Sequence, residues 1–164
     1  MMSRTFKLIS ILLSIPLLVL ISAWLMNIDG HSVDLDAILA GMSAAHPLGT
    51  DALGRDLLAR LAEGLRLSLS VGIVVVCLGS VIGISIGITA AWIGGWVDAV
   101  LMRVADIVLS FPGILLAIAL AAMLGPGVEN LIMALVAVGW VGFSRLARVQ
   151  VLALKHAPFV EASL

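Results

Sequence analysis

Long uncharged apolar runs, separated by short clusters of charge, organise this chain. Leu8 to Ile28 is 21 residues without a charge, Leu67 to Val97 is 31, Ile107 to Val128 is 22 and Asn130 to Ser144 is 15. A charged side chain at the bilayer centre costs about 2.5–3.5 kcal/mol even on the lenient insertion scale, so charges mark where spans end. A span takes about 17–25 residues. The first three runs qualify, and the fourth lengthens if Arg145 snorkels to the headgroups. The pattern predicts an all-α, polytopic membrane protein with four transmembrane helices.

Residues 1–28 form the N-terminal segment and first span, residues 29–66 an external loop, and residues 67–164 a core of three further spans. Arg4 and Lys7 precede the first run, as in a secretory signal. That run is longer than the usual apolar region of a signal, and no Ala-x-Ala cleavage site follows it, so an uncleaved anchor is expected. Orientation comes from Lys and Arg. With the N-terminus cytoplasmic, Arg4, Lys7, Arg103, Arg145, Arg148 and Lys155 lie inside, and Arg55, Arg60 and Arg66 lie outside with most of the acids. That is the positive-inside bias of an inner-membrane protein.

Composition agrees. Hydrophobic residues make up 62% of the 164 residues and charged ones 12%, against about 45–50% and 25% in soluble domains. A net charge of −1 excludes a basic nucleic-acid binder. One cysteine, Cys77, allows neither an intrachain disulfide nor a cysteine metal cluster. His31 and His46 are too few and too poorly spaced for a metal site, and read as solvated loop residues.

Within the second run Gly79, Gly83 and Gly87 recur every four residues, seven beyond Gly72. A ridge without side chains lets another helix approach closely, and in lipid such packing is a main source of helix association. Ordinary intramolecular packing is the bland expectation; a subunit interface or pore wall is the sharper one. Residues 67–92 would make a helix of about 39 Å, ended by Gly94-Gly95. At the start of the third run Arg103 and Asp106 sit at i,i+3 and read as a structural ion pair. Pro112 removes the donor to the Val108 carbonyl and predicts a kink.

In the external loop Leu53, Leu57, Leu61 and Leu65 share one face. An amphipathic helix in the outer interface is expected there, N-capped by Thr50 or Asp51. Arg145 to Leu164 is basic at first, and its three cations suit anionic inner-leaflet headgroups. No serine elbow, zinc-protease motif or phosphate loop occurs, so no catalytic residues and no cofactor are expected. Uphill work would need ATP hydrolysis on another subunit.

Two sets of motifs taken together carry a resemblance. Leu48-Gly49-Thr50-Asp51-x-x-Gly54-Arg55-Asp56, with Arg60-Leu61 and Gly64-x-Arg66-x-Ser68-Leu69, resembles the permease subunits of dipeptide, oligopeptide and nickel ABC importers, the C-type partner of each pair more closely. Met102-Arg103-x-x-Asp106, Phe111-Pro112 and Phe159-Val160-Glu161-Ala162-Ser163 fall in the order that family shows. The match covers about residues 46–164.

The resemblance implies a six-span permease fold that pairs with a second permease, two cytoplasmic ATP-binding subunits and an external solute-binding protein. It also implies that Glu161-Ala162-Ser163 begins a coupling loop whose helix docks in a groove of the ATPase. Ser163 replaces the family's second Ala, and Ala59 stands where many relatives have Ser. The chain stops before the Gly of the coupling motif and before two further spans, so a truncated permease is expected. The competing expectation is a small membrane protein that self-associates through Gly79, Gly83 and Gly87 as a scaffold or simple pore.

Overall fold

The computed structural model describes residues 29–155, and among them every regular element is helical. Four helices follow a short 3-10 turn at Leu35–Ala37: α1 (Leu57–Ile93), α2 (Gly95–Leu109), α3 (Gly113–Leu124) and α4 (Val128–Lys155). The chain divides into two compact units, Met1–Ser70 and Val71–Leu164. The predicted first span and Glu161, Ala162 and Ser163 lie outside the described residues. Among the described residues two helices are long and apolar enough to cross a membrane, α1 and α4, and the bent pair α2 and α3 makes a third if it is one broken span. The chain is an all-α polytopic membrane protein.

The 37 residues of α1 extend about 55 Å at 1.5 Å per residue. The external amphipathic pattern is therefore not a separate helix: from Leu57 onward it is the opening of α1. Nothing between Leu57 and Ile93 stops propagation, because no proline interrupts the run and its glycines keep helical geometry. The helix starts later than Thr50 or Asp51. Asp56 is the cap, its Oδ1 accepting from the Ala59 N–H at 2.9 Å. Polar side chains within the apolar stretch are satisfied by their own helix: Ser85 Oγ donates to the Val81 carbonyl and Thr89 Oγ1 to that of Ser85, both at 2.7 Å. At the far end Gly94 and Gly95, at φ 70° and 58°, make the turn that the sequence places there.

The predicted third span is broken rather than kinked. α2 ends at Leu109, α3 starts at Gly113, and the two are bent by 86°. Ser110 closes α2 by donating its N–H to the Asp106 carbonyl at 2.9 Å. Pro112, lacking an N–H, opens α3 instead of continuing α2. After α3 a Gly125-Pro126-Gly127 turn leads into α4, and Asn130 Nδ2 donates to the terminal Leu124 carbonyl at 2.9 Å. α4 then runs ten residues past Arg145, so the helix is longer than the uncharged run alone.

The buried positions of the second unit are small: Ala90, Ala91, Ala105, Ala117, Ala134, Val141 and Ser144. Large apolar side chains point outward instead, including Val81, Trp92, Ile114 and Met123. This inversion of the soluble pattern suits helices whose backbones meet closely and whose bulk faces lipid.

Candidate functional site

In the first unit the motif Leu48–Asp56 folds on itself. Thr50, almost fully buried, accepts from the Ala40 N–H at 2.8 Å and donates its hydroxyl to the Ala37 carbonyl. Its own N–H reaches the Ala40 carbonyl, and Leu57 N–H reaches that of Gly49. Gly49 and Gly54 take φ of 77° and 73°. A Cβ on Gly54 would run into the Asp34 backbone, so only glycine fits there.

Asp51 is the centre of this knot. Oδ1 accepts from the N–H groups of Leu53 (2.8 Å) and Arg55 (3.0 Å); Oδ2 accepts from Arg55 Nε (2.9 Å), Arg55 Nη2 (2.8 Å) and Arg60 Nη1 (2.5 Å). Five donors crowd about four lone-pair sites. Burial alone would raise its pKa, but the hydrogen bonds from Arg55 and the backbone outweigh that and hold the carboxyl far below the usual range. Asp56 is also lowered, first by the Ala59 N–H and then by His46. His46 is not a solvated loop histidine. Its Nδ1 lies 2.8 Å from Asp56 Oδ2, and the ring is partly buried. His31 is largely exposed, with Nδ1 3.4 Å from Glu63. An open cavity of about 380 Å³ is lined by His31, Arg60, Glu63, Gly64 and Leu67. Among the described residues no cluster of His, Cys, Asp and Glu could hold a metal ion.

In the second unit the glycine ridge of α1 lies against α4. Ordinary contact distances surround a Cβ built at Gly79, 3.8 Å from Gly139 and Trp140. At Gly83 the same atom would strike the Trp140 carbonyl oxygen and come within 2.7 Å of Phe143 Cβ. At Gly87 it would strike the Ser144 carbonyl and sit 2.9 Å from Ala147 Cβ. Gly72 has nothing near it and is not part of the seam.

The ion pairs differ from the expected ones. Asp106 does not pair with Arg103, its neighbour on α2; its Oδ1 accepts from Arg145 Nη2 of α4 at 2.5 Å. Arg148 holds Asp98 with two bonds, Nε to Oδ1 and Nη2 to Oδ2, both 2.5 Å. Lys155 Nζ donates to the Trp92 carbonyl at 3.0 Å, at the C-terminal end of α1 where a cation is favoured. The three cations expected on lipid headgroups thus all have protein partners. Between the pairs lies an open cavity of about 300 Å³, lined by Met102, Asp106, Arg145, Arg148 and Val149. The basic spacing on α4 was visible in the sequence; its partners, 39 to 64 positions away, were not.

A bundle sealed by glycine and alanine and clamped at one end by carboxylate–guanidinium pairs defines a helical membrane protein. The chain belongs to the family of binding-protein-dependent transport system inner membrane components, whose profile matches residues 83–164. It is a multi-pass inner-membrane protein. It is 40% identical to the glutathione transport system permease protein of Pectobacterium atrosepticum, over 92% of this chain and 52% of that one. A probable D,D-dipeptide transport system permease protein of Escherichia coli is 41% identical over 90% and 49%. The dipeptide transport system permease protein of Alkalihalophilus pseudofirmus is 42% identical over 76% and 41%. The chain spans about half the length of these relatives.

Proposed function

We propose that this chain is part of the membrane-spanning permease subunit of an ATP-driven importer of small peptides. A second permease completes the pathway, two cytoplasmic ATP-binding subunits supply the energy, and an external solute-binding protein delivers the peptide. The observation that carries this reading is 40% identity along nearly the whole chain to a permease named for glutathione, with two relatives named for dipeptides. Peptide rather than nickel is taken up because all three names are of peptide transport. The N-terminus is cytoplasmic by the Lys/Arg balance, which places Leu48–Asp56 outside and the end of α4 inside. Self-association through the glycine ridge is not favoured, because the chain's own α4 occupies Gly83 and Gly87.

Glu161-Ala162-Ser163 would dock on the ATPase. Glu161 gains nothing from an anionic leaflet, whereas a partner offering a cation or backbone donors would explain it. The test is reconstitution of the full-length subunit with its partners and measurement of alanyl-alanine uptake and ATPase activity. Uptake that Glu161→Lys abolishes, at normal membrane abundance, supports the reading. Absence of uptake by the wild-type complex with every peptide tried overturns it.

A further inference from the structure

α2 stands between two interruptions of the backbone. At its start stand Gly94, just before it, and Gly95, its first residue, both at positive φ with open space around them. After it lies the 86° break at Ser110-Phe111-Pro112. Its contacts with α4 lie along one face: Asp98, Met102 and Asp106 recur every four residues, Arg148 pairs with Asp98 and Arg145 with Asp106, and Met102 and Asp106 line the 300 Å³ cavity with Arg145, Arg148 and Val149. A helix whose run is broken at both ends and which is joined by charge-assisted bonds takes its position from the partner that holds the charges.

We propose that α2 is an arm carried by α4, and that Asp98 and Arg148 are the positioning residues through which displacement of α4 reaches it. The proposal rests on the permease reading, because the displacement comes from the ATPase side, toward which the chain runs after Lys155. Arg148 carries most of the linkage: its two parallel bonds fix the orientation of α2 as well as its distance. Arg145–Asp106, more exposed, adds a second point against rotation. Lys155 does the same for the end of α1, so one helix holds both elements that meet at Gly94-Gly95.

Two experiments separate this proposal from the reading beneath it. In membranes, Met102→Cys with Val149→Cys on a Cys77→Ser background is joined by a short thiol-reactive bridge. Adding Asp98→Asn should cut the bridge yield about threefold or more, since removing one partner leaves the other charge uncompensated. An unchanged yield would overturn the proposal whatever the chain transports. In the reconstituted complex, Asp98→Asn and Arg148→Gln should each lower alanyl-alanine moved per ATP hydrolysed about tenfold at normal abundance. The charge-swapped pair, Asp98→Arg with Arg148→Asp, should recover most of that ratio, and the bridged protein should still transport. Transport falling only in step with abundance would make the pair merely structural. Transport abolished by the bridge would mean that α2 must leave α4. Both results reject the arm. A wild-type complex without uptake rejects the permease reading and leaves the bridge yield to decide the arm.

Discussion

Arg148 reaches fifty positions back along the chain to grip Asp98, Nε on one carboxylate oxygen and Nη2 on the other. Such forked pairing fixes angle as well as distance, which a lysine could not do. Its neighbour Ser144, one turn earlier on α4, lies under Gly83 and Gly87. The same short stretch of α4 thus meets a bare backbone on one side and a carboxylate on the other.

The glycine seam makes a graded prediction. Gly83→Ala and Gly87→Ala each drive a methyl into backbone that has nowhere to go, so each should cost about 1–3 kcal/mol, the range for overpacking. Gly79→Ala and Gly72→Ala should be near neutral, and Val81→Leu, on an exposed position, should match wild type. Thermal unfolding in detergent, with membrane abundance alongside, ranks the five. Gly83→Leu should accumulate least of all.

Thr50 tests the knot. Thr50→Val keeps the shape but removes the hydroxyl that bridges the Ala40 N–H and the Ala37 carbonyl, leaving those two groups only their own long 3.4 Å bond, at about 1 kcal/mol. Thr50→Ser keeps both bonds and should lose far less. Protease sensitivity of the 29–56 segment in intact membranes gives the readout, with cleavage faster in the valine variant than in the serine one.

Acid should loosen the same region. Asp51 and Asp56 have folded pKa values below the ordinary 3.8, so their stabilisation is complete above that value and is lost as pH falls through the lowered folded values. The wild-type segment should therefore hold its protease resistance down to about pH 4 and lose it progressively below. Asp56→Ala, without the cap, should be weaker by about 1 kcal/mol at neutral pH and show a shallower acid response.

Orientation is checked by a single cysteine. Ser43→Cys on a Cys77→Ser background, exposed in the 29–56 segment, should react with a membrane-impermeant maleimide added outside intact spheroplasts. Reaction only after the inner face is opened would reverse the topology derived from Lys and Arg.

How far the sequence carried the fold follows from range. Apolar runs and the Gly94-Gly95 stop are local properties, so the long helices and the end of α1 could be read directly. The i,i+3 spacing of Arg103 and Asp106 suggested a pair, but a sequence shows only near neighbours, and Arg145 from 39 positions away holds that carboxylate. Pro112 announced an irregularity without its size: losing one hydrogen bond is compatible with a kink or a full break, and the capping of α2 by Ser110 decides for the break. In the 29–66 segment the leucine pattern gives a helix but not its boundary, because Asp51 is spent on Arg55 and Arg60 and the cap falls to Asp56.

On the permease reading proposed above, the saturation of Asp51 bears on any attempt to change the cargo. A carboxylate already gripped by five donors has no valence left for a travelling solute, and Thr50 and Asp56 are equally spoken for. The most recognisable stretch of the chain is therefore a fastener and not a reader. On the permease reading, libraries aimed at new cargo should leave residues 48–56 untouched, since changes there loosen the segment without opening a site for a solute.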